Sequence, residues 1–151
     1  MVRNPDGDVM SRTRGAFRPR APTLFADEHQ RERYSLTALK AYLGIVSRWG
    51  LTGAEAAALL AVSTSTWERI KRDPDGAGAL SQDQLTRLSA IIGIYKALHL
   101  LFADQMADRW IKLANRGPLF RHRTPVVAMI EGGIPHILDT RRHVDAMRGG
   151  L

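Results

Sequence analysis

The sequence predicts an all-α protein. Ala and Leu recur in long runs, while alternating β-branched stretches are nearly absent. Apolar residues return at three- and four-residue spacing, which draws one stripe along a helix. Ser, Thr, Gly and Pro punctuate those runs where helices begin and end.

Residues 1 to about 30 are expected to form a flexible basic arm. They carry Pro5, Pro19, Pro22, Gly7 and Gly15 among Arg12, Arg14, Arg18 and Arg20. Such a stretch buries too little apolar surface to offset its ordering entropy. The pair Leu24-Phe25 is its one candidate for docking onto the core.

A first helix is predicted from Ser35, as N-cap, to Trp49, with Leu36, Leu39, Leu43 and Val46 as its apolar stripe and Gly50 as its end. A short helix follows over 52–60, where Thr52 and Glu55 have capping-box spacing. After a tight turn at Ala61-Val62, Ser63 caps a helix that reaches Arg72, and Asp73-Pro74-Asp75-Gly76 stops it. Ser81 caps a long helix from Gln82 to Leu101 or Phe102, with Leu85, Leu88, Ile91, Ile92, Tyr95, Leu98 and Phe102 inward. Another helix is predicted over 103–114, with Met106, Trp110 and Leu113 inward. Thr124-Pro125 starts one that ends at Gly132-Gly133, and a last runs from Pro135 to about Met147.

Lys plus Arg total 22 against 15 Asp plus Glu, a net charge of +7 that suits a polyanionic partner. Absent cysteines exclude disulfides, zinc–cysteine sites and thiol catalysis. No apolar run approaches the roughly 20 residues that span a bilayer. The start of the chain lacks the apolar centre of a signal peptide, so a cytoplasmic location is expected.

The stretch Gly53 to Arg72 has helix-turn-helix form. Ala56 and Ala57 are small where two steeply crossed helices must touch, and Leu60, Val62, Trp67 and Ile70 are apolar where the second helix must lock onto the first. The turn position that often holds Gly is Ala61. With those residues buried, the outer face carries Ser63, Thr64, Ser65, Thr66, Glu68, Arg69, Lys71 and Arg72. Hydroxyls and guanidinium groups on one face suit entry into a major groove. Ser63, Thr64, Ser65, Thr66, Arg69, Lys71 and Arg72 are thus the DNA-binding candidates, Lys71 for the backbone; Glu68 counts against phosphate. A plain helical hairpin with a solvated face is the alternative.

Enzymatic signatures are absent. The five histidines are His29, His99, His122, His136 and His143; His136 and His143 are spaced to share a face, but no carboxylate joins them at metal-ligand spacing. No Gly-rich phosphate loop follows a strand, and no local signature unites Ser, His and Asp. Neither catalysis nor a cofactor or metal is expected.

The ordered series Leu51-Thr52, Glu55 to Leu60, Val62-Ser63, Trp67, Arg69, Leu80-Ser81, Leu85 and Arg87-Leu88 resembles the Xre/MbcA/ParS antitoxin family. The likeness continues through Trp110, Asn115, Leu119-Phe120, Arg123-Thr124-Pro125 and Gly132-Gly133. The family often has a Gly pair just before the Arg-Thr/Ser-Pro unit; this chain has Arg121-His122. The resemblance covers roughly residues 36–150.

It implies an Xre-like helix-turn-helix DNA-binding region at 35–102 and a small helical toxin-binding domain at 103–151. It also implies a type II antitoxin that covers the active-site entrance of a RES-domain, NAD-consuming toxin and represses its own operon, as a homodimer within a larger complex. By position and charge, Arg121, Arg123, Arg141, Arg142, His143, Arg148 and Leu151 are then the toxin-contact candidates. Trp110, Met129, Ile134, Ile137, Leu138 and Val144 are expected to be core. Two alternatives stand: a DNA-binding regulator without a toxin, and a toxin-binding protein whose helix-turn-helix is purely structural.

Overall fold

The computed structural model describes residues 27–149. The proposed arm, up to residue 26, and Leu151 lie outside the described residues. Within them the protein is all helical: α1 (Glu28–Trp49), α2 (Gly53–Leu60), α3 (Thr64–Arg72), α4 (Gln82–Leu101), α5 (Asp104–Arg109) and α6 (Pro125–Gly149), with 3-10 turns at Asp75–Ala77 and Trp110–Lys112.

α1 begins about two turns before Ser35. Asp27 is the cap, accepting from the His29 N–H at 2.9 Å, and Glu28 favours the positive end of the helix dipole. These first turns are mostly solvated, so apolar periodicity gives no sign of them. Ser35 is buried inside α1 instead. Its hydroxyl donates to the Arg31 carbonyl and accepts from the Leu80 N–H at 2.8 Å, tying α1 to the chain entering α4. The buried stripe is Leu39, Tyr42, Ile45 and Trp49, with Leu36, Leu43 and Val46 half-buried beside it.

The caps of the next helices follow the sequence closely. Thr52 and Glu55 form a reciprocal capping box on α2, Ser63 accepts from the Thr66 N–H on α3, and Ser81 with Gln84 repeats the capping box on α4. Ala61 ends α2 at φ 60°, ψ 46°, the left-handed region. An alanine there is strained because its Cβ crowds the following carbonyl oxygen. Ala61→Gly is expected to raise stability by about 1 kcal/mol, read as a higher urea midpoint at unchanged slope.

α4 packs against α1 on one side and α6 on another. Leu85, Leu88, Ala90, Ile91, Ile94, Ala97 and Leu98 are therefore buried, while Ile92, Tyr95 and Phe102 are only half-buried. One cluster of buried residues runs from Leu39 through α4 to Val144. Met129, Ile137 and Val144 lie fully within it and Leu138 packs at its margin, whereas Ile134, expected to be core, is half-buried outside it.

The helix expected over 103–114 is shorter. α5 ends at Arg109, the 3-10 turn follows, and Leu113 is extended. The tighter turn carries Trp110 and Ile111 into the core with Ala107, and leaves Met106 and Leu113 at 39% and 36% exposure. Those two predicted inward positions are corrected.

α6 is broken where the glycine pair placed the break. Gly133 has φ 66° and ψ −154°, and Pro135 falls in the first turn of the second half, where its missing N–H costs nothing. A Cβ on Gly132 would stand 2.4 Å from the His136 Cβ, so only Gly fits that approach. Among the described residues, no helix is long and apolar enough to cross a membrane.

Candidate nucleic-acid interface

α2 and α3 meet through small and aromatic contacts. Ala56, Ala57, Leu59 and Leu60 are buried on α2, and Trp67 and Ile70 on α3. Trp67 is 1% exposed and meets Tyr42 edge-on, with ring centroids 5.4 Å apart. Tyr42 donates its hydroxyl proton to the Ala56 carbonyl at 2.7 Å. Burial holds that hydroxyl far above the ordinary tyrosine range, so it remains a donor. The role of Tyr42 is not visible in the sequence, where it reads as one more aromatic near a helical stripe. Tyr42→Phe is expected to cost about 1 kcal/mol, because a buried carbonyl loses one of its two donors; thermal unfolding checks it.

The pairing turns the rest of α3 outward. Ser63, Thr64, Ser65, Glu68, Arg69, Lys71 and Arg72 are exposed, and Thr66 is half-buried. The Ser63 hydroxyl donates to Thr66 Oγ1 at 2.9 Å and accepts from the Thr66 N–H at 3.1 Å. Those two hydroxyls therefore also serve the cap, while Thr64 and Ser65 are not drawn into it. Arg69, Lys71 and Arg72 occupy the last turn of α3, where cations favour the helix dipole. The face thus offers hydroxyls at its leading end and three cations at its trailing end.

The proposed toxin-contact residues fall into two groups. Arg121, Arg142 and Arg148 are exposed, although Arg142 pairs with Asp139 one turn back. Arg123, Arg141 and His143 are engaged within the fold. Arg123 donates to the Phe120 carbonyl at 3.1 Å and pairs with Glu131. Arg141 pairs with Asp145 at 2.8 Å, and its guanidinium lies where a Cβ on Gly93 would be. His143 packs edge-on to Phe120 at 5.5 Å.

Phe120 is the centre that sequence reasoning missed. It is fully buried and also meets Trp110 and His136, at centroid distances of 5.7 and 6.0 Å. The available signal was the seven-residue spacing of His136 and His143, which puts both imidazoles on one face against a single ring. Burial, and then the Arg123 charge, hold His136 below the ordinary histidine value, with Asp139 opposing. Arg121 and His122 have φ of 51° and 67°. Both hold the left-handed backbone that glycine adopts readily, so this loop keeps a glycine-type path without glycine. Asn115 closes the loop: its carbonyl accepts from the His122 N–H at 2.9 Å and its N–H donates to the Arg123 carbonyl at 3.1 Å.

Among the described residues, no group of three His, Cys, Asp or Glu could hold a metal ion. The family description that matches is the antitoxin Xre-like helix-turn-helix domain, over residues 36–93, a span that contains both α2 and α3. The chain is also similar to a Sinorhizobium fredii protein, uncharacterized protein y4oB. The two are 34% identical over 114 residues, 74% of this chain and 84% of that protein.

Proposed function

Because the chain belongs to the family of antitoxins with an Xre-like helix-turn-helix domain, we propose that it represses its own operon and neutralises a toxin encoded beside it. The observation that carries the DNA half is the outward face of α3. Its hydroxyl-bearing and cationic side chains are held on a helix whose other side is locked by Trp67 and Ile70. Ser63, Thr64, Ser65 and Thr66 lead into the major groove, Arg69 and Arg72 reach guanine edges or phosphates, and Lys71 meets the backbone. The net charge of +7 favours the encounter.

The toxin half belongs to residues 103–151, with 35–102 as the DNA-binding region. The target is a RES-domain enzyme that consumes NAD, and the antitoxin blocks its active-site entrance without doing chemistry itself. Arg121, on the loop before α6, and Arg142 and Arg148, on α6, support this as exposed cations. Arg123, Arg141 and His143 shape that surface from within, and Leu151 is its C-terminal candidate. Binding as a homodimer would let two α3 helices engage successive half-sites.

Co-expression with the neighbouring reading frame tests the reading. A stable complex and restored growth are expected. A neighbour that the chain neither binds nor neutralises would leave a DNA-binding regulator without a toxin.

A further inference from the structure

The turn between α1 and α2 carries a cationic shelf that the face of α3 does not use. A concavity there is lined by Arg48, Trp49, Gly50, Asp108, Arg109 and Lys112. Its three cations come from the last turn of α1, the end of α5 and the 3-10 turn after it. Arg48 donates to the Tyr95 hydroxyl at 2.9 Å, a neutral partner that leaves its charge uncancelled. Arg109 is exposed and forms no ion pair among the described residues. Lys112 donates to the Gly50 carbonyl and stands 3.7 Å from Glu55. Asp108 is the shelf's own carboxylate, and it lies 2.8 Å from His99 Nε2. Trp49 is 2% exposed, and its indole N–H is buried without a hydrogen-bond partner among the described residues. Arg48, Arg109 and Lys112 outnumber the one carboxylate in the lining, so the concavity suits an anionic partner from outside.

Position says which partner. The contacts of Lys112 with Gly50 and Glu55 set the shelf against the N-terminal end of α2. The same end of α2 meets α3, since a Cβ on Gly53 would stand 3.3 Å from Glu68 Oε1. Shelf and recognition face therefore flank one helix end. When a helix-turn-helix docks, its first helix crosses the DNA backbone while the second enters the groove. Cations beside that first helix meet phosphates, which position the protein and carry no sequence information.

We propose that Arg48, Arg109 and Lys112 bind backbone phosphate next to the groove that α3 enters. The segment after α4 thereby adds DNA affinity without adding sequence specificity. The inference rests on the reading of α2 and α3 as a DNA-binding unit. The competing occupant is an acidic protein surface.

The test uses the full chain and its Arg48→Gln/Arg109→Gln variant, with Lys112 kept because it also holds the α1–α2 turn. Binding to the duplex upstream of its own reading frame and to a random-sequence duplex is titrated against salt. The slope of log K against log salt should become shallower by about 0.9 per lost contact, hence by about 1.8 for two, and on both duplexes alike. If the double variant melts early, Arg109→Gln alone serves, because that side chain has no ion pair among the described residues; about half the change is expected. A parent protein that binds neither duplex overturns this inference together with the reading it rests on. Parent binding with an unchanged slope in the variant overturns this inference alone. So does a loss confined to the upstream duplex, or a loss of toxin binding with DNA binding intact.

Discussion

Trp67→Ala is expected to destabilise the protein by about 3–5 kcal/mol, the usual cost of emptying a buried aromatic site. Trp67 is 1% exposed and is the largest fully buried side chain. It does not face the groove, so any effect on DNA must pass through structure. Its ring packs edge-on against Tyr42 of α1, and its edge lies 3.8 Å from where a Cβ on Gly53 would stand. It thus joins α1, α2 and α3 at one point. Removing it leaves α3, a helix of nine residues that is too short to persist unsupported, with Ile70 as its only other buried anchor. Urea unfolding should show the lower midpoint, and operator binding should fall with the folded fraction of α3. Trp67→Phe, which keeps a ring in the site, should recover most of both. A Trp67→Ala protein as stable as its parent would mean that α3 is held by something else.

Arg69→Ala/Arg72→Ala should do the reverse, sparing the fold and removing recognition. Both side chains are exposed in the last turn of α3 and support no buried contact. The melting temperature should therefore hardly move, as for most surface changes. Each good bidentate contact with a base is worth about 1–3 kcal/mol, so losing two should weaken operator binding by about 2–6 kcal/mol. That is at least roughly 30-fold at 25 °C. Binding of the random duplex should fall less, because the phosphate contacts at Lys71 and elsewhere remain. Equal losses on both duplexes would demote the two arginines to backbone contacts. An intact toxin complex in this variant would separate the two halves of the proposal.

Sequence and structure agree best where local chemistry decides the backbone. Thr52, Ser63 and Ser81 are caps in both, because their side-chain oxygens satisfy the first free N–H groups of the helices they precede. Gly132-Gly133 breaks α6 in both, because one of the pair needs positive φ and the other has no room for a Cβ. The two diverge where tertiary contacts decide. Ser35 reads as a cap because it precedes an apolar stripe, but the chain entering α4 passes close enough for its hydroxyl to take the Leu80 N–H. The helix at 103–114 looked continuous because Met106, Trp110 and Leu113 have helical spacing. Burial of Trp110 and Ile111 together instead tightens the chain into a 3-10 turn.

The candidate site divides in the same way. The face of α3 was legible because the apolar positions of a helix-turn-helix determine which side is left over. The Arg141–Asp145 pair is one turn apart on α6 and could be read from spacing, but the approach of Arg141 to Gly93 of α4 and of Arg123 to Glu131 was not legible, because packing of α6 against α4 and the path of the loop before α6 create them. Charge alone cannot distinguish such arginines from solvated ones.

On the proposed function, the protein reads DNA with the outer face of α3. Backbone amide shifts of the full chain, followed by NMR as its upstream duplex is titrated in, test this most directly. The largest perturbations should fall on residues 63–72, with a second, weaker group at Arg48, Arg109 and Lys112. Perturbations concentrated on α6, with α3 unmoved at saturating DNA, would contradict it.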